Sequence, residues 1–265
     1  MKTMRTRSFQ KLACLLAGVA MCGGGSAIAA TWTFTGNSLE LPAGYGAAQD
    51  TVGGVTATAT AWANTANGLE GSNTVLASAY LTPQGSRGLG IRHADSESTS
   101  SPQHAMDNDG RKESILFSFV GDKVNLTSSY FGWISNDSDF SVYAYTGADV
   151  GPVSGLTYGN LTSNGWALVG HYNEASQSNN NGSTKTFANN IFSSYWLIGA
   201  YNGASADSKN DYFKPKTVSG LTCTDNPSGQ GCGTTTSEAP EPGTLLLVGI
   251  GMLGLTRVTS RRTAR

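Results

Sequence analysis

Residues 55–62 read VTATATAW, with threonine and alanine in strict alternation. A repeat of two is that of a β-strand, whose successive side chains point to opposite faces, whereas a helix repeats every 3.6 residues. The stretch therefore predicts a strand with one alanine face and one threonine face. Alanine fills little volume, so large side chains must reach over that face if the interior is to be close-packed. Further strands are expected over residues 31–35, 75–81, 114–120, 130–134, 140–145, 166–172 and 195–201, with Gly, Asn, Asp and Pro between them as turns require. A strand over 89–93 and another starting near Glu113 flank a long polar loop. No stretch carries apolar residues at helical spacing through three turns.

Composition agrees. Only 13% of residues are charged, so Ser, Thr, Asn and Gly must solvate much of the surface, and all four disfavour helix interiors. The expectation is an all-β chain: one antiparallel β-sandwich of jelly-roll type over residues 31–222. Trp62, Phe117, Phe119, Trp133, Trp166 and Trp196 lie inside the expected strands and should supply core area.

The formal net charge of −1 hides a segregation. Lys2, Arg5, Arg7 and Lys11 open the chain, and Arg257, Arg261, Arg262 and Arg265 close it. Without those eight cations, nine Lys/Arg face 18 Asp/Glu, and the body carries about −9. An acidic body excludes nucleic acid as a partner, because phosphate binding needs a basic face.

The basic start, the apolar run 12–21 and the small residues 23–30 form a secretory signal peptide over residues 1–30. Ala27 and Ala29 satisfy the small-x-small rule, so the cut falls after Ala29 or Ala30, made by signal peptidase after passage through the Sec translocon. Cys22 leaves with the leader. Cys223 and Cys232 then remain as one pair in an oxidising compartment, closing the loop CTDNPSGQGC as a disulfide. No further Cys or His accompanies them as a zinc site would need. Residues 223–239 thus read as a disulfide loop and a flexible tether.

After the tether come Pro240, Glu241 and Pro242, an apolar Gly/Leu run, and the arginines. A helix over about 243–260 approaches the length of a membrane span if Arg257 snorkels. Its basic end belongs on the cytoplasmic side once the body has been exported. The prolines keep the segment before it extended. This order over residues 240–265 resembles the PEP-CTERM sorting signal of Gram-negative bacteria. The resemblance implies recognition by an exosortase in the inner membrane, cleavage near Pro-Glu-Pro, and delivery to the cell surface or an exopolysaccharide matrix. The roles of Pro240, Glu241, Pro242, Arg257, Arg261 and Arg262 in sorting follow from it.

The polar region GLGIRHADSESTSSPQHAMDNDGRKESILFSF holds Arg92, His93, Asp95, Glu97, His104, Asp107, Asp109, Arg111 and Glu113. Asp107 and Asp109, with Asp137 and Asp139 in NDSDF, offer hard oxygen ligands suited to calcium. The spacing departs from a calcium-hand loop, and Asx-rich turns use the same residues. An extracellular hydrolase would draw on the acids and histidines of 92–113; a carbohydrate-binding module would instead present exposed aromatic rings. No Gly-x-Ser-x-Gly elbow, His-Glu-x-x-His helix or phosphate loop is present, and no other cofactor is expected. His171, in an aromatic strand, reads as a half-buried structural histidine. The words GLGI, HAMDN, ESILFSF, DSDFSVYAYTG and LVGHY across residues 85–172 resemble a subfamily of exosortase-dependent surface proteins, which implies a secreted β-domain without assigned enzymatic activity.

Overall fold

The computed structural model describes residues 28–35, 38–39, 46–64, 74–92, 102, 104–148, 153–174, 181–203, 207 and 209–233. Residues 1–27, where a leader is expected, and residues 234–265 lie outside them. Among the described residues there are fourteen strands and no α-helix. The first seven are β1 (Ala30–Thr33), β2 (Ser38–Leu39), β3 (Ala47–Val52), β4 (Val55–Ala63), β5 (Ala77–Pro83), β6 (Leu89–Arg92) and β7 (Met106–Asp107). The others are β8 (Glu113–Val120), β9 (Val124–Asn136), β10 (Phe140–Tyr145), β11 (Trp166–Tyr172), β12 (Ser183–Thr186), β13 (Tyr195–Ala200) and β14 (Asp211–Thr222).

They form two antiparallel sheets. The first runs β1-β14-β9-β12, with β7 added on β14; the second runs β11-β10-β13-β8-β4-β3-β2, with β5 on β4 and β6 on β5. Setting aside β2 to β7, the remaining eight strands follow a simple rule. The first sheet takes them in the order first, eighth, third, sixth, and the second in the order second, seventh, fourth, fifth. Chain neighbours therefore mostly sit in opposite sheets, so one core must hold both.

That core forms on the alanine face. Ala57, Ala59, Ala61 and Ala63 of β4 are sealed, while the threonines between them are half-exposed. The bulk comes from β1 in the opposite sheet and from β8, which is paired with β4. Trp32 meets Phe119 edge-on at 5.0 Å, Phe34 meets Phe117 at 5.5 Å, and the Trp32 indole N–H donates to the Val55 carbonyl at 2.9 Å. Small residues on one sheet thus make room for large ones on the other, which preserves interior density. Further along, Phe131 of β9 stacks on Phe213 of β14 at 4.1 Å and meets Phe140 of β10 edge-on.

Three expectations change. Trp62 lies on the threonine side of β4 and is only partly buried, against a second apolar cluster where Val153, Tyr158 and Leu161 cover the outside of the sheet. The strand expected over 130–134 is the middle of the 13-residue β9. The sequence reading also passed over β14, the partner of β1, β7 and β9, because DYFKPKTVSGLT contains a proline and two lysines. Pro215 is tolerated because the ladder with β9 slips register on both sides of it, so the missing N–H falls at a bulge. β2, β3, β7 and β12 also escaped, being short or polar.

Candidate metal centre

The end of β9 turns sharply. Asn136 adopts a left-handed φ of 66°, which asparagine tolerates better than most residues, and its side chain donates to the Asn210 carbonyl at 2.9 Å. The Asp137 N–H then donates back to the Ser135 carbonyl at 2.8 Å, and the Asp137 carbonyl accepts from the Tyr212 N–H at 3.1 Å. This turn brings Asp137 and Asp139 beside Asp211 at the start of β14. Carboxylate oxygens of the three lie within 4.8 Å of one another, and the residues are only 1%, 3% and 1% exposed.

Main-chain donors and one amide hold the group rigid. Ser138 N–H donates to Asp137 Oδ1 at 2.8 Å, Asp139 N–H to Asp211 Oδ1 at 2.8 Å, and Glu174 N–H to Asp139 Oδ1. Asn108 closes a two-point pair on Asp211: its Nδ2 donates to Asp211 Oδ2, and its Oδ1 accepts from the Asp211 N–H at 2.8 Å. The half-exposed Lys209 places its Nζ 3.9 Å from Asp137 Oδ2. Glu174 is itself paired with the buried Lys185 at 2.8 Å.

Three enclosed carboxylates against one distant ammonium make a strongly negative pocket. Burial, reinforced by the charges of Asp139 and Asp137, pushes the Asp211 carboxyl up to about 8. Burial also raises Asp139, with Asp137, Asp207 and Glu174 adding to the rise against the hydrogen bond from Glu174. At this turn the Ser138 hydroxyl is fully enclosed and makes no hydrogen bond. A compact set of hard oxygens with excess negative charge fits a divalent cation of the calcium type.

The four aspartates singled out from sequence are divided between two places. Asp137 and Asp139 join the cluster. Asp107 and Asp109 do not: Asp107 Oδ1 accepts from the Asp109 N–H at 3.0 Å, and Asp109 Oδ2 accepts from the Tyr212 hydroxyl at 2.7 Å. It is Asn108 between them that reaches the cluster. Asp211, the third member, had no signal in the sequence, lying at the head of the strand that its proline concealed.

The hydrolase residues are placed less favourably. His93, Asp95 and Glu97 lie outside the described residues. Asp107 and Glu113 are sealed, with the Asp107 N–H donating to Glu113 Oε2 at 3.1 Å. His171 carries a contact the sequence did not suggest: its Nδ1 is 2.7 Å from Ser141 Oγ, which also accepts from the Asn202 N–H at 3.2 Å. Which of the two donates depends on the imidazole tautomer. Burial, and behind it the charge of Lys112, lowers the imidazole below its ordinary value. His171 is partly exposed, while its serine is fully enclosed.

At the far end of the sheets, Tyr145, Tyr195, Phe192, Lys123 and Gln230 line a cleft of about 390 Å³. The two tyrosine rings are 82° apart, and among the described residues no Trp or Tyr is exposed. The flat exposed platform on which a sugar would stack is thus not found among the described residues. Beside the cleft, Cys223 and Cys232 are bonded, with Cα atoms 5.5 Å apart.

Beyond that loop, residues 238–262 match the family model of the PEP-CTERM protein-sorting motif. The chain carries a PEP-CTERM signal. Such a signal is recognised by exosortase, and it implies an exported protein processed at the membrane and placed at the surface. The motif and its six sorting residues lie outside the described residues, as do Ala27 and the apolar run 243–260. No helix of the described residues is long and apolar enough to cross a membrane. No curated protein matches the chain.

Proposed function

We propose that this is a non-catalytic component of the cell surface or exopolysaccharide matrix of a Gram-negative bacterium: a jelly-roll β-sandwich that passes through the Sec translocon, hangs briefly from the inner membrane by its tail, and is released by exosortase. The observation that carries this reading is the PEP-CTERM motif at residues 238–262. The alternation of strands between two four-stranded halves supports the jelly roll. The enclosure of Asp107, Glu113 and Ser141 supports a domain without a reaction centre, since a nucleophile or acid must reach its substrate. Intact mass of the protein released from cells tests the reading. The expected species starts at Ala30 or Thr31 and stops near Pro-Glu-Pro. Full-length protein in the cytoplasm with its leader attached would overturn it.

A second reading concerns the stability of the exported domain: calcium held by Asp137, Asp139 and Asp211. It is supported by the three enclosed carboxylates and by the enclosed Ser138 hydroxyl without a hydrogen bond at the same turn. A cation there would offset the mutual repulsion of three enclosed carboxylates, and would tie the end of β9 to the start of β14. Thermal unfolding with added calcium and with chelator tests it; identical curves would remove the reading.

A further inference from the structure

β1 begins at Ala30. Ala30, Thr31, Trp32 and Thr33 pair with Gly220, Ser219, Val218 and Thr217, and among the described residues β1 has no ladder partner other than β14. It is also pinned from its inner side, because Trp32 is sealed in the core with its indole bonded to the Val55 carbonyl. Immediately before it the chain is free: Ile28 is 86% exposed, and Ala29 is exposed too. The bond expected to be cut by signal peptidase, Ala29–Ala30 or Ala30–Thr31, therefore lies at the junction between free chain and closed ladder.

A peptidase takes the residues on both sides of the bond it hydrolyses as an extended chain, using their main-chain groups. Ala30 and Thr31 cannot offer those groups to the enzyme and to β14 at once. We propose that closure of β1 on β14 sets the order of maturation: the leader is removed before β14 docks, and once the ladder has closed the bond is shielded. The reaction itself is ordinary hydrolysis, with water supplying hydroxyl to the carbonyl carbon and a proton to the departing amine. This inference rests on reading residues 1–30 as a leader.

The topology makes the order natural. β14 is the last strand of the described residues, so β1 lacks that partner until residues 211–222 have crossed the membrane. The same closure brings the junction at Ala30 to the pole of the disulfide loop. Ile28, Ala29 and Ala30 line a cavity together with Thr222, Thr224 and Asp225, next to the disulfide loop. Only residues 234–237 separate Gly233 from the sorting motif, a reach of about 18 Å when extended.

The test uses the full-length precursor with Thr31→Cys and Ser219→Cys, since these register partners have hydroxyl oxygens 2.8 Å apart. Oxidation locks β1 to β14. Cleavage by purified signal peptidase is compared for the locked chain, for the same chain reduced and diluted from urea straight into the enzyme, and for a locked chain with six Gly/Ser residues inserted between Ala30 and Thr31. The locked chain should be cut at least about tenfold more slowly than the chain from urea, because proteolysis follows the population of the open form. The insertion should restore cleavage by moving the bond away from the ladder. Equal rates for locked and unfolded chains would overturn the proposal, as would resistance that persists with the insertion. A chain from urea that stays uncut would remove the leader itself, and the proposal with it.

Discussion

The ammonium of Lys214 lies 4.4 Å above the ring of Trp133 on the outer side of the first sheet, and the lysine is fully enclosed. Its Nζ donates to Gln84 Oε1, and among the described residues no carboxylate forms an ion pair with it. A cation shielded from water with only an amide and a ring face for company is poorly compensated. Burial, together with the nearby Arg87 charge, lowers the Lys214 amine to about 8.

Stability should therefore depend on pH in the alkaline range. With a folded value near 8 and an unfolded value near 10.5, the unfolded chain binds the extra proton between those limits. The cost of burying the charge is fully present below pH 8 and is relieved as pH rises toward 10.5. Lys214→Met removes the dependence and raises stability at pH 7 by on the order of 1–3 kcal/mol. Urea unfolding of wild type and variant from pH 7 to 11 measures it; parallel curves would contradict the assignment.

Asp211→Asn separates the calcium reading from a merely structural carboxylate. In chelator the variant should fall below wild type by about 1–3 kcal/mol, since keeping Oδ1 on the Asp139 N–H turns its new Nδ2 donor toward Asn108 Nδ2, which Asp211 Oδ2 accepts from in wild type. Wild type should gain about 2.7 kcal/mol at a calcium concentration one hundred times the dissociation constant. The variant should lose most of that gain. Calorimetry of both proteins with and without calcium decides the matter.

The Cys223–Cys232 bond ties the end of β14 to the loop that leads to the tether. Cys223→Ser with Cys232→Ser closes no loop in the unfolded state and should cost about 2–3 kcal/mol, the range for short loops. Denaturant midpoints, with thiol counting of the unfolded wild type, provide the check. Two free thiols in wild type lacking residues 1–30, where Cys223 and Cys232 are the cysteines present, would remove the premise.

Gly88 turns the chain over the bulge in β14. Its φ is 106°, and a Cβ there would come within 2.6 Å of the Pro215 carbonyl oxygen and 2.8 Å of that of Lys214. Gly88→Ala should cost about 2 kcal/mol or more, combining a disfavoured backbone with a main-chain clash. Gly54, also at positive φ but with nothing within 4 Å, should cost less when changed to Ala. Thermal midpoints that rank the two in the opposite order would show that the bulge yields.

What could be read in the chain was whatever is local. Alternation over residues 55–62 specified β4, because the faces of a strand depend only on its own dihedrals. Likewise β10 and β11 run from residue 140 to 145 and from 166 to 172, the bounds that their turn residues suggested. The sorting motif was legible for the same reason, as a linear address that needs no fold. Asp137 and Asp139 stood out because they are two apart.

The tertiary structure decided what depends on residues distant in the chain. Pro215 forbids a regular ladder, and only the double register slip against β9 shows how β14 accommodates it. Asp211 reaches Asp139 across 72 positions because β14 returns beside β9, a relation that side-chain periodicity cannot encode. The same return seats β1 on the last strand, so the junction at Ala30 acquires its meaning only when the sheet closes. Short-range preference selects strands and turns; which strands become neighbours is settled by burying both apolar faces in one core.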